Sequence, residues 1–134
     1  MGKVVLDKQL LITVDNKVGT LAEVSKVISS SGINLIAVCA YAVDNKGMIM
    51  FVSEDNKTAK KLLKDKGYDV REEEVILLTV DNKPGSLQAV TEKIAAAGID
   101  LTLIYGSVEQ KGKTSRIVLI SEDNNAVLTA IKIT

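Results

Sequence analysis

The sequence contains no histidine, no tryptophan and a single cysteine, Cys39. Without histidine, a Ser-His or Cys-His nucleophile system and a His-ligated zinc site are both excluded. One cysteine forms no intramolecular disulfide and no cysteine-rich metal cage. Aromatic side chains are scarce, three tyrosines and one phenylalanine, too few for a sheet that stacks nucleobases. Charge of one sign is not in excess either. Seventeen basic residues balance seventeen acidic ones, and only Arg71 and Arg116 of the basic set are arginines. Nucleic-acid or anionic-membrane binding by bulk charge, which needs clustered Lys and Arg, is not expected. No apolar run approaches the ~20 residues of a spanning helix. The opening stretch meets Asp7 too early for the apolar region of a signal peptide. Leu6 occupies the Ser/Thr position of the myristoylation motif that a Met1-Gly2 start suggests. The expectation from these absences is a soluble cytoplasmic protein.

What is present is a repeat. The chain has 134 residues, 46% of them hydrophobic, enough core for one domain or two very small ones. Leu10 to Tyr41 reads LLITVDNKVGTLAEVSKVISSSGINLIAVCAY, and Ile76 to Ser107 reads ILLTVDNKPGSLQAVTEKIAAAGIDLTLIYGS. At an offset of 66, 13 of these 32 pairs are identical. Ser53-Glu54-Asp55-Asn56 recurs as Ser121-Glu122-Asp123-Asn124 at an offset of 68. The second copy therefore carries two extra residues between Tyr105 and Ser121, which belong in a surface turn.

Each copy has a readable order. The β-branched run Leu10–Val14 is a strand. A helix opens at Gly19 or Thr20, where Thr20 and Glu23 have capping-box spacing. Leu21, Val24, Ile28 and Ser31, matched by Leu87, Val90, Ile94 and Ala97, lie on one helical face. Gly32 and Gly98 stop that helix. A long apolar strand Ile33–Val43, a turn Asp44-Asn45-Lys46-Gly47 and a return strand Met48–Ser53 follow. Asp55 or Asn56 caps a second helix with Ala59, Leu62 and Leu63 inward. Tyr68 to Glu73 is a fourth strand. The order β-α-β-β-α-β predicts an α+β fold of two ferredoxin-like units, each with strand order 4-1-3-2. Residues 1–74 form the first domain and 75–134 the second. The second strand of each copy lies at a sheet edge without charge apart from Asp100, and open edges of that kind invite association. Side-by-side pairing of the two edges predicts one extended, pseudo-symmetric antiparallel sheet of eight strands with the helices on one face. The second copy stops short of a full fourth strand. A stub at Ile131–Thr134, another segment such as Lys3–Leu6, or another chain are the alternatives for covering strand Val75–Val80.

The best-defined motif is the strand-to-helix turn, Asp15-Asn16-Lys17-Val18-Gly19-Thr20-Leu21 and Asp81-Asn82-Lys83-Pro84-Gly85-Ser86-Leu87. A helix N-terminus presents free N–H groups and the positive end of the helix dipole, which suits a carboxylate or phosphate. Glycine admits close approach to the backbone, and Asn16 and Asn82 each offer a donor and an acceptor. A free amino acid needs that combination. Asn, Gly and Pro are equally the residues of an ordinary tight turn. Among the other residues, Cys39 reads as a small packing residue. The Arg71–Glu74 run reads as a solvated strand end. Lys57, Lys60, Lys61 and Lys64 read as a solvent-facing helix side.

The doubled turn, the following helix and the Gly-Ile-[Asn/Asp]-Leu segment, in a βαββαβ unit of this length, resemble the ACT domain. That family comprises small-molecule-binding regulatory modules of amino-acid metabolism, and the resemblance covers nearly the whole chain as two tandem copies without a catalytic domain. It implies a ligand held between domains, each site using one turn (Asn16 or Asn82, with backbone around Gly19 or Gly85) and the start of the partner domain's second strand. That start holds Asn34-Leu35 in copy one and Asp100-Leu101 in copy two. Several members carry a histidine where this chain has Val14 and Val80, and Val18 replaces the usual proline in copy one. The implied function is a non-catalytic sensor that binds a free amino acid and acts on a partner enzyme, as a homodimer, with no cofactor and no metal. Val14, Val80, Ile36 and Thr102 favour small or branched apolar amino acids. The alternative is a ligand-free dimerisation module that binds a protein through a sheet edge. An enzyme of the acylphosphatase kind carries an arginine in its strand-loop-helix cradle, where these turns hold Lys17 and Lys83.

Overall fold

A computed structural model describes residues 3–108 and 113–132. The elements in chain order are β1 (Lys3–Asp15), α1 (Thr20–Ser29), β2 (Leu35–Val43), β3 (Lys46–Ser53), α2 (Asn56–Asp65), β4 (Asp69–Asp81), α3 (Ser86–Ala96), β5 (Leu101–Val108), β6 (Thr114–Ser121) and α4 (Asn124–Lys132). The β strands form one sheet in the order β2-β3-β1-β4-β6-β5. The strands β1 and β4 are each 13 residues long, beyond the usual 3–10. Each gives one half to each of two compact units. One unit is Lys8–Glu73; the other comprises the described residues of Met1–Asp7 and Glu74–Thr134.

Both units have the βαββαβ plan with the expected 4-1-3-2 strand order. The sheet has six strands where eight are expected because β1 and β4 each serve twice. The expected pairing of the two edge strands is not made, since β2 and β5 stand at opposite ends of the strand order. The fourth strand of the second copy comes from the chain's start. Residues 3–7 of β1 lie in that unit, β1 and β4 are hydrogen-bonded neighbours, and Val4 packs against the unit's core.

The cores repeat position for position. Leu10, Ile12, Val24, Ile28, Ile49, Phe51, Ala59 and Leu63 are buried together in the first unit. Their equivalents Ile76, Leu78, Val90, Ile94, Ile117, Leu119, Val127 and Ile131 are buried in the second. The loss from Phe51 to Leu119 is offset by the gain from Ala59 to Val127, so volume is roughly kept. Where Val70 of β4 closes the first core, Val4 packs against the second.

Local chemistry explains the helix starts. In α2 the Asp55 side chain accepts from the Thr58 N–H at 3.1 Å, and before α4 Asp123 accepts from the Ala126 N–H at 3.0 Å. The repeated Ser-x-Asp-Asn is a clasp. The Oδ1 of Asn56 accepts from the Ser53 N–H and hydroxyl, while its Nδ2 donates to the Lys8 carbonyl at 2.7 Å. Asn124 does the same for Ser121 and donates to the Glu74 carbonyl at 3.1 Å. In each unit the clasp pins the start of a helix to the first strand.

Three expectations change. No capping box forms at Thr20–Glu23, because the N-cap is Gly19 and no side chain caps the helix. Leu21 and Leu87 are exposed and only Val24, Ile28, Val90 and Ile94 of the predicted face are buried in α1 and α3. Leu21 and Leu87 instead border the cavities between each turn and its strands. The Arg71–Glu74 run is not a strand end: β4 runs through it, Lys60 Nζ reaches Glu72 at 3.1 Å and Gln9 Nε2 donates to Glu73 at 3.2 Å. The surface turn expected to hold the two extra residues of copy two falls on residues 109–112, which lie outside the described residues.

Candidate functional site

The two turns share one backbone path. Gly19 and Gly85 both have φ of 89° at the helix N-cap, a left-handed conformation that glycine adopts at little cost. The Thr20 and Ser86 N–H groups bond back to the Lys17 and Lys83 carbonyls, each at 3.3 Å. The Asn16 and Asn82 N–H groups are spent on the Asn45 and Lys113 carbonyls, at 2.9 and 2.8 Å. The N–H groups of the first helical turn, at Leu21 and Ala22 or Leu87 and Gln88, have no acceptor within the helix, as helix geometry requires.

The charges beside the turns differ. Asp15 accepts from Lys46 Nζ across the strand pair at 2.8 Å, and that hydrogen bond and charge hold its carboxyl below the ordinary carboxylate value. In the second copy Thr114 stands opposite Asp81. Lys83, from the turn itself, approaches Asp81 at 3.9 Å instead.

A cavity lies between each turn and the adjacent edge strand. In the first unit it is ≈ 190 Å³, bounded by Asn16, Lys17, Thr20, Leu21 and the Ala40–Ala42 stretch of β2. In the second it is ≈ 420 Å³, bounded by Asn82, Lys83, Ser86, Leu87 and the Ile104–Gly106 stretch of β5. Two lining positions lose a methyl in the second copy, Thr20 to Ser86 and Ala40 to Gly106. Only the larger cavity falls in the ~300–1,000 Å³ range of small-molecule pockets. Ile104, Tyr105, Gly106, Ser115 and Ile117 line it and were not expected there. Their signal is the strand register, which sets the end of β5 beside the start of β6.

Asn34, Leu35, Asp100 and Leu101 lie elsewhere in their own units. Leu35 pairs with Ser53, whereas the turn residue Asp15 pairs with Lys46, at the other end of the eight-residue β3. At ~3.4 Å per residue that separation is about 24 Å. The Asn34 carbonyl accepts from Glu54 and the Asp100 carbonyl from Glu122. Leu35 and Leu101 pack against their own cores. Within one unit the structure brings together the turn residues but not the turn and the strand start. Pro84 and Gly85 also border a second cavity, on the opposite flank of α3. Cys39 is a half-buried free thiol. Among the described residues no helix is long and apolar enough to cross a membrane.

A family model described as an ACT domain pair matches residues 5–132. A search of curated proteins finds no match. Among solved structures, protein BT0572 from Bacteroides thetaiotaomicron superposes with a TM-score of 0.88 at 27% identity, covering 96% of this chain and 88% of that one. The ligand-free regulatory subunit of aspartate kinase from Thermus thermophilus gives 0.70 at 14% identity, over 96% of this chain and 95% of that one. The corresponding subunit from Thermus flavus gives 0.65 at 14%, over 97% and 94%. At those identities the kinase subunits share the fold.

Proposed function

The chain belongs to the family of ACT domain pairs, and from that premise we propose that it is a non-catalytic sensor of a free amino acid. The observation that carries this reading is the ≈ 420 Å³ cavity between the Asp81–Leu87 turn and β5. It offers the Leu87 N–H group at a helix N-terminus for a carboxylate, Asn82 as a mixed donor and acceptor, and an apolar wall from Leu87, Ile104 and Ile117. That wall favours small or branched apolar side chains.

The site is completed by a second copy of the chain. The edges of β2 and β5 are open, and Leu21, Val38, Leu87 and Ile104 are exposed beside them. Antiparallel pairing of a second copy's β2 onto β5 runs that strand's start toward the end of β5 that lines the cavity. Asn34 of the second copy then faces the Asn82 turn. Reciprocal pairing gives the smaller Asn16 cavity an Asp100, whose charge opposes a carboxylate, so the two kinds of site are unequal. Ligand binding across the seam favours one arrangement of the pair, and a coupling of ~1–3 kcal/mol is enough for feedback. The partner is an enzyme of amino-acid metabolism, of the kind that the aspartate kinase regulatory subunits serve. Calorimetry against each proteinogenic amino acid tests the reading. We expect one to bind at micromolar to millimolar concentration and Asn82→Ala to weaken it about tenfold. Silence from all of them removes it and leaves a module that pairs through its edges.

A further inference from the structure

We propose that the second unit holds another ligand site, for an apolar carboxylate, in the cavity between α3, β4 and α4. This inference is independent of the amino-acid reading. The cavity is ≈ 620 Å³, well within the size of small-molecule sites. Its floor is apolar, made by Val4, Leu78, Val80, Val90 and Ile131, and its rim carries Lys83, Lys93 and Lys132 against the single carboxylate of Asp81.

The first unit provides the comparison. Its equivalent crevice is ≈ 440 Å³ and carries Asp15, Glu23 and Asp69 against the single ammonium of Lys46. The charge balance is reversed between the two copies. The first crevice is also lined by an aromatic side chain. Tyr68 packs against the core there, and its hydroxyl bonds to Glu23. Two substitutions distinguish the second. Ala89 stands where the first copy has Glu23. Lys93 stands where Val27 packs against the first core. Apolar floor and cationic rim together specify an apolar body ending in an anion. A half-buried lysine such as Lys93 serves that arrangement well, its stem on the floor and its ammonium at the rim.

The test uses the full chain and ¹H–¹⁵N spectra. Decanoate and 3-phenylpropanoate probe aliphatic and aromatic carboxylates, decanol the apolar body alone, and inorganic phosphate the anion alone. One of the two carboxylates is expected to move the amides of Ala89, Val90 and Ile131, binding about tenfold more tightly than decanol or phosphate. Ala89→Glu and Lys93→Val, which install the first copy's residues, are each expected to weaken it about tenfold while the rest of the spectrum is retained. The proposal is overturned if neither carboxylate moves those amides at millimolar concentration, if decanol binds as well, or if both variants bind unchanged. Shifts at the same amides on raising protein concentration alone would make the groove an interface between copies, and would overturn it too. Amino-acid binding is scored separately, at the amides of Ile104–Gly106.

Discussion

Tyr68 and Glu23 make the contact that separates the two copies most sharply. The phenol donates to the Glu23 carboxylate, and this bond, with desolvation and the neighbouring negative charge, raises its pKa from 10.0 to about 12. The protonated phenol is the bonded form. Its contribution to stability is therefore complete below pH 10.0 and lost as pH rises through about 12. In a Tyr41→Phe, Tyr105→Phe background, ultraviolet titration is expected to show Tyr68 ionising near that upper value, and Glu23→Gln to return it toward 10.0. Titration unaffected by Glu23→Gln would contradict the contact. Glu23 also shows where sequence reading stops. Its spacing from Thr20 is that of a capping box, but the left-handed Gly19 takes the cap and frees the carboxylate for a tyrosine far along the chain. Gly85 was legible as a turn residue, and its φ of 89° gives the reason. A Cβ added there meets nothing within 4 Å, so Gly85→Ala is expected to cost the backbone term alone, roughly 1–2 kcal/mol. Gly85→Asn, which tolerates that conformation, is expected to cost less. Urea midpoints with an unchanged m-value measure both.

At the scale of elements, the helices and strands were legible because their periodicity and punctuation agree. Val24 and Ile28 mark one face, Asp44-Asn45 mark a hairpin whose Asp44 has φ of 55°, and Asp55 caps α2. The exposed Leu21 and Leu87 were not legible, since spacing gives a face but not how far along it the core extends. The recurring Ser-Glu-Asp-Asn was visible as a repeat, but not its purpose. Asn56 reaches a carbonyl 48 residues away and Asn124 one 50 residues away, and no local pattern announces such partners. Replacing either asparagine by alanine strands a carbonyl and removes the acceptor of a serine buried to within 7 or 9% exposure. Asn56→Ala and Asn124→Ala are each expected to cost roughly 2–3 kcal/mol. A loss below about 0.5 kcal/mol, the scale of ordinary surface changes, would show that the clasp holds nothing.

For the whole molecule, the repeat announced two units, but not how the chain shares its strands between them. Val75–Val80 needed a neighbour, and the choice among Ile131–Thr134, Lys3–Leu6 and another chain stayed open because strand pairing is made by backbone groups that every sequence carries. Topology decides it. Ile131 is committed to α4 and the core, while Lys3 to Asp7 continue the strand that already neighbours β4. The 13-residue lengths of β1 and β4 could not be read either, because the charged run Arg71–Glu74 looks like a boundary and is instead the middle of a strand. Deleting residues 3–7 therefore has a specific consequence. Residues 74–81 keep β6 on one side and lose β1 on the other, and the core loses Val4. Hydrogen exchange of the residue 74–81 amides not bonded to β6 is expected to quicken by about 100-fold, as local opening becomes cheaper. The β2–β3 amides, whose pairing the deletion does not touch, are expected to keep their protection. The bared strand also becomes an edge, so the shortened chain should associate at concentrations where the full chain does not. Unchanged exchange at Ile76–Val80 would mean that the chain's start is not the strand that completes the second unit.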